Sequence, residues 1–173
     1  EDQLLRLHQP ILVQLPNIED VPLYSISPLL QSEFFDSLRA GYPEFDEWFE
    51  SKAQEGRQAW VSKEQNGDLA GICIYARQEN ERITEDTVLP GASLKLSTFK
   101  VAETSRGKKI GELFLKAAFR YASSNGMENI FVHGDIGLHH FLFQMLEDFG
   151  FIHVGSHPGS NGRDAVYLKK HPA

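Results

Sequence analysis

Leu94-Lys95-Leu96-Ser97-Thr98-Phe99-Lys100-Val101, continued by Ala102-Glu103-Thr104-Ser105-Arg106-Gly107-Lys108-Lys109-Ile110-Gly111-Glu112, is the stretch on which the fold turns. Its first eight residues read as a strand, with Leu94, Leu96, Thr98 and Lys100 on one side. From Ile110 to Ser124 the period changes to that of a helix. Leu113, Phe114, Ala117, Ala118, Tyr121 and Ala122 form its apolar stripe, and Gly126 stands where it should end. The joint places two glycines and several cationic side chains at a helix N-terminus, where unpaired N–H groups and the helix dipole favour an anion. The amides near Lys108, Lys109, Gly111 and Glu112 can cradle a phosphate chain, with Gly107 permitting a tight approach and Gly111 leaving room for the ligand. A solvated charge run on a Gly-containing loop is the competing reading of the same residues. A Walker-type loop is disfavoured, because no Gly-Lys-Ser/Thr completes the glycine pattern. A dinucleotide fingerprint fails on its spacing and its place in the chain.

Upstream of this joint, Leu23–Ile26 reads as a strand by alternation, and Ser32 can cap a short helix carrying Phe34, Phe35 and Leu38. A second amphipathic helix carries Phe45, Trp48, Phe49 and Ala53. Strands Gln58–Ser62 and Leu69–Tyr75 flank Asn66-Gly67, a dipeptide suited to a tight hairpin. The polar segment 76–90 has little periodicity and is expected to be an exposed loop. Downstream, Ile130–Val132 reads as a strand. Leu138–Phe149 reads as a helix facing inward with Leu138, Phe141, Leu142, Met145 and Phe149. The chain closes with a hairpin of Phe151–Val154 and Ala165–Leu168. The order β-α-α-β-β-β-α-β-α-β-β excludes an all-β sandwich and a helical bundle and points to an α/β fold.

Residues 1–20 read as a linker or N-terminal appendage, with a helical turn over Asp2–His8, a short strand Ile11–Val13 and a break at Pro16. They also suit a junction to an upstream domain in a longer protein. The 173 residues are the size of one domain. A single cysteine, Cys73, in an apolar run rules out a disulfide framework and reads as a buried thiol. The absence of a secretion signal and of a membrane-length apolar run leads to the expectation of a cytoplasmic protein. A net charge of -7 disfavours a phosphate-backbone binder and suits a cationic acceptor such as an amine.

Taken together, the segment order and the loop resemble the GNAT superfamily of acyl-CoA N-acyltransferases. Its acyl-CoA loop follows Gln/Arg-x-x-Gly-x-Gly/Ala. Arg106 and Gly111 match this pattern, while Lys109 occupies the usual first Gly. The family's later helix, ending in Gly-Phe before a strand, is matched by Leu146-Glu147-Asp148-Phe149-Gly150-Phe151. The resemblance covers roughly residues 21–170 and implies, over 21–173, one domain with a mixed, mostly antiparallel sheet that splays into a V and is flanked by helices. It implies acetyl-CoA or another acyl-CoA as cosubstrate, bound by Arg106, Gly107, Lys108, Lys109, Ile110, Gly111 and Glu112, with backbone groups of Phe99, Lys100 and Val101 lining the pantetheine arm. The implied reaction is direct attack by an amine in a ternary complex. The alternative is an acyl-CoA-binding regulatory module without efficient transfer.

The resemblance leaves the catalytic acid open, because Leu146 stands where the family often has a tyrosine. His133, Asp135 and His139 cluster at the end of a cleft-lining strand and the following helix start. Of these, His139 is slightly preferred as the proton-transfer group. Helix capping by these residues competes with that role, and a metal site there is not expected. Tyr75 is a further candidate from the acceptor side. Glu44, Asp46 and Glu47 could attract a cationic amine, and Arg163 and Tyr167 are weaker acceptor candidates. The acceptor stays unnamed at this level: a small amine, a peptide amine, an antibiotic or a modified RNA base all suit the sequence, as does a homodimer.

Overall fold

The structure, a computed structural model, describes residues 17–103, 105, 109–137 and 139–170. Its strands are β1 (Glu19–Pro22), β2 (Gln58–Lys63), β3 (Leu69–Thr84), β4 (Thr87–Val101), β5 (Asn129–Gly134), β6 (Ile152–Ser156) and β7 (Ala165–Lys170). They form one sheet in the order β1-β2-β3-β4-β5-β7-β6, in which only β4 and β5 run parallel. The helices among the described residues are α1 (Asp36–Gly41), α2 (Phe45–Gln54), α3 (Ile110–Ser124) and α4 (His140–Asp148). This is the expected mixed, mostly antiparallel sheet with helices on both faces. None of the described helices is long and apolar enough to cross a membrane.

Each face of the sheet buries its own core. On one face, α3 and α4 bring Ile110, Phe114, Leu142 and Leu146 against Leu94, Leu96, Phe99, Val101, Ile130 and Val132. On the other, Leu23, Ile26, Phe35, Phe49 and Ala53 cover Val61, Ile72 and Ile74. Burying such side chains contributes roughly 1.5–3 kcal/mol each.

The two strands that matter most for a ligand part company. β4 and β5 pair only from Ser93↔Asn129 to Leu96↔Val132. Beyond Leu96, β4 bonds only to β3, while His133 and Gly134 bond only to β7. The V opens at a β-bulge. Tyr75 pairs with Leu96 and Ile74 with Thr98, so Ser97 is an extra residue on β4. The bulge also overturns the expected alternation: Leu94 and Leu96 share their core with Phe99 and Val101, not with Thr98 and Lys100.

Three further expectations are corrected. Leu23–Leu29 is a 3-10 helix rather than a strand, and the first strand is Glu19–Pro22. Leu23, Ile26 and Leu30 are the buried residues, a helical rather than an alternating spacing. Segment 76–90 is no loop, since β3 and β4 continue through it as a long hairpin. It is polar because most of it faces water. Only Ile83 and Leu89 anchor it, packed on Phe131 and Val166. In α4 the buried positions are Leu142, Phe143 and Leu146, whereas Phe141 is exposed. Phe143 takes the inward place by stacking on Tyr167 at 4.7 Å between ring centroids. Leu138 lies outside the described residues, as do the turn Asp2–His8 and the strand Ile11–Val13.

Candidate active site

At the joint after β4, the chain enters α3 through Lys109 with φ +60°, and the Lys109 side chain does not cap the helix. The Leu113 N–H bonds back to the Lys109 carbonyl. The amides of Ile110, Gly111 and Glu112 ahead of it therefore have no partner within the helix. The left-handed φ explains why a glycine is at home at the Lys109 position; a lysine there costs about 1–2 kcal/mol. Gly111 serves a different purpose from the one expected. A Cβ there would lie 2.8 Å from Met145 Sδ, so the space it leaves is filled by α4 and not by a ligand. Ser105, fully buried, donates a hydrogen bond to the Glu64 carboxylate and fixes the start of the loop. Arg106, Gly107 and Lys108 lie outside the described residues.

Phe99, Lys100 and Val101 lie on the part of β4 beyond the split, where only β3 pairs with it. Their side chains are engaged elsewhere. Phe99 packs edge-on against Phe114, Val101 is in the core, and Lys100 donates to Ser37 Oγ at 2.6 Å. What these residues can offer a ligand is the unpaired backbone edge.

The opposite side of the split opens into a cavity of about 270 Å³. Its walls come from β4 (Lys95, Ser97, Thr98, Phe99), from β5 (Val132, His133, Gly134) and from the start of α4 (His139, Leu142). The α1–α2 junction adds Tyr42, Glu44 and Trp48, and the turn before β7 adds Arg163 and Asp164.

Two histidines face it in different states. His133 is held through Nδ1 by Asp164 Oδ2 at 2.9 Å and stacked on His157 at 3.9 Å. Its Nε2 has no hydrogen-bond partner among the described residues. The hydrogen bond to His133 holds the Asp164 carboxyl below its ordinary value, so Asp164 stays an acceptor and fixes the proton on Nδ1. His157 is kept neutral, its pKa pushed down to about 4 chiefly by burial and then by His133 and Lys95. His139 precedes α4 and stacks parallel to the Tyr42 ring, with its Nε2 3.4 Å from the Tyr42 hydroxyl. Burial, and then Lys100, lower its pKa.

The Tyr42 hydroxyl accepts the Asp135 N–H at 3.3 Å, which leaves its own proton to donate. Burial raises its pKa, so it remains a phenol. The Arg163 guanidinium lies over its ring at 4.8 Å.

A model of the acetyltransferase (GNAT) family matches residues 23–151. The chain belongs to the GNAT acetyltransferase family. Solved structures share the fold. Arabidopsis thaliana NAA60 in complex with acetyl-CoA superposes with a TM-score of 0.63 at 13% identity, over 90% of this chain and 98% of that one. A GNAT-family acetyltransferase from Staphylococcus aureus gives 0.62 at 14% identity, over 90% and 100%. The IAA acetyltransferase from Bacillus cereus gives 0.60 at 17%, over 90% and 99%. No curated protein matches the chain in sequence.

Within this GNAT domain, the candidates separate. His133 and His139 both line the cavity but turn to different partners. Asp135 accepts the Gly137 N–H at 2.9 Å and shapes the turn before α4. Tyr75 is displaced from the site: it stacks on Trp60 at 3.8 Å and donates to Asp20 at 2.8 Å, on the α3 face of the sheet. Leu146 is fully buried between α3, α4 and the sheet and carries no acid. Glu44 lines the cavity, Glu47 is exposed, and Asp46 faces Gln31 and Arg39. Tyr167 is buried and bonded to Glu147. Tyr42, Lys95 and Asp164 line the cavity, with His157 stacked behind His133, and sequence reasoning missed all four. The register His133↔Val166 sets Asp164 beside His133, but it is visible only once β5 and β7 are known to pair.

Proposed function

We propose that this domain transfers an acetyl group from acetyl-CoA to an amine by direct attack within a ternary complex. The observation that carries the reading is the split between β4 and β5. It joins a helix N-terminus on one side to a cavity holding an Asp164-oriented His133 on the other.

In this reading the amides of Ile110, Gly111 and Glu112, with the loop from Arg106 to Lys109, hold the diphosphate. The free edge of β4 from Ser97 to Val101 bonds the pantetheine arm, and a backbone N–H at the bulge polarises the thioester carbonyl. Acetyl-CoA supplies the activated acyl group. His133 Nε2 takes the proton from the attacking amine, while Asp164 stabilises the imidazolium that forms. Tyr42 donates its proton to the departing sulfur and regains one through His139. Tyr42 thus replaces, from the α1–α2 junction, the acid that Leu146 cannot provide.

The test is thiol release from acetyl-CoA in the presence of a panel of amines, with the acetylated product weighed by mass spectrometry. Amine-dependent release with stoichiometric product is expected. Acetyl-CoA binding without release across the panel would overturn the transfer reading and leave an acyl-CoA-binding regulatory module.

A further inference from the structure

Lys95 stands in the wall of the cavity at the closed end of the V, in register with Phe131. It is half-buried, yet it has no hydrogen-bond or ion-pair partner among the described residues. The neighbouring cations are all engaged. Arg57 donates to Ser97 Oγ at 3.3 Å and lies 3.8 Å from Glu55, and Lys52 lies 3.3 Å from Glu55. Glu81, on the β3–β4 hairpin, is the acidic group whose field reaches Lys95, without forming an ion pair. Burial and the fields of Arg57 and Lys52 disfavour the Lys95 charge. A partly buried ammonium left in this state gains most from an anion placed beside it.

The cavity lining carries both signs of charge: Lys95 and Arg163 are its cations, Glu44 and Asp164 its acids, and Arg163 is already engaged with Asp164 at 3.4 Å. His133 lies two residues beyond the partner of Lys95 on the adjacent strand, so the two Cα atoms are roughly 8 Å apart by strand geometry. A cavity of about 270 Å³ has room for a small molecule or the end of a larger one.

We infer that the acceptor is a small amino-carboxylate, with its carboxylate on the Lys95 ammonium and its amine directed at His133. This rests on the acetyl-transfer reading for the reaction but not for the binding geometry, and the two can fail separately. The alternative of a plain amine or diamine leaves Lys95 facing a like charge in the same cavity, which is destabilising.

The experiment is calorimetric titration of the whole chain, in the presence of CoA, with α-, β- and γ-amino acids and with the matched amides. At least one amino-carboxylate is expected to bind about tenfold to a hundredfold more tightly than its amide. Lys95→Met is expected to erase that preference while leaving the thermal midpoint and the acetyl-CoA affinity unchanged, and Lys95→Glu to favour diamines instead. Equal binding of acids and amides, binding of neither, or a preference that survives Lys95→Met would overturn the inference. An acid preference carried by Lys95 in a chain that never binds acetyl-CoA would uphold it while sinking the acetyl-transfer reading.

Discussion

His133 and Asp164 are 31 residues apart, and only the pairing of β5 with β7 makes them neighbours. Asp164 is almost fully buried, so its carboxylate stays in place only while His133 and Arg163 bond it. From this pair follows the sharpest kinetic expectation. His133→Ala should lower kcat by about 10²–10⁴ with acetyl-CoA binding retained. Asp164→Asn should lower kcat less, because it disturbs the orientation of the ring and not the nitrogen itself. Tyr42→Phe should slow turnover without raising KM for acetyl-CoA. Steady-state thiol release checks all three, and an unchanged kcat in His133→Ala would remove that residue from the mechanism. The sequence had favoured His139. In the structure His139 Nε2 lies 3.4 Å from the Tyr42 hydroxyl.

At the scale of elements, α3 and the β3–β4 hairpin show where the sequence spoke clearly and where it could not. The bounds of α3 are those read from its periodicity, because a fifteen-residue amphipathic run with Gly126 behind it leaves little choice. The left-handed φ of Lys109 at its N-terminus supplies the backbone reason for the glycine usual at that position. Lys109→Gly should leave stability unchanged or raise it by up to ~1 kcal/mol, where Gly inside a helix costs about that much. Urea unfolding measures it, and a loss of ~1 kcal/mol would contradict the assigned conformation. The hairpin was misread as a loop because its strands are held by paired backbone and two apolar anchors, Ile83 and Leu89, which leave almost no periodicity. The bulge at Ser97 is likewise silent in sequence: an extra residue shows itself only against a partner strand.

For the molecule as a whole, the fold class could be read from one dimension, and the lining of the cavity could not. The alternation of strands and helices follows from periods and loop chemistry, while the splayed pair of central strands was implied by the family resemblance. The cavity wall combines Tyr42, Lys95 and Asp164 from three separated segments, none carrying a motif, with His157 stacked behind it on His133. The half-buried histidines His139 and His157 also set how the whole domain responds to acid. His157 is held at about 4 in the fold against an ordinary 6.5, and His139 is lowered in the same direction. The unfolded chain then binds more protons between those values, so their contribution is complete above about pH 6.5 and is lost as pH falls toward about 4. The midpoint of thermal unfolding should therefore drop between pH 7 and pH 4.5, and His157→Gln should drop less. A His157→Gln profile parallel to that of the wild type would contradict the burial assigned to this ring.

The central claim is that the split between β4 and β5, with the N-terminus of α3 beside it, is an acetyl-CoA site. Calorimetric titration of acetyl-CoA into the folded chain tests it most directly. One molecule bound per chain, with binding weakened when acetyl-pantetheine lacking the nucleotide diphosphate is used, is the predicted result. No saturable heat from acetyl-CoA at any concentration that keeps the chain folded would contradict it.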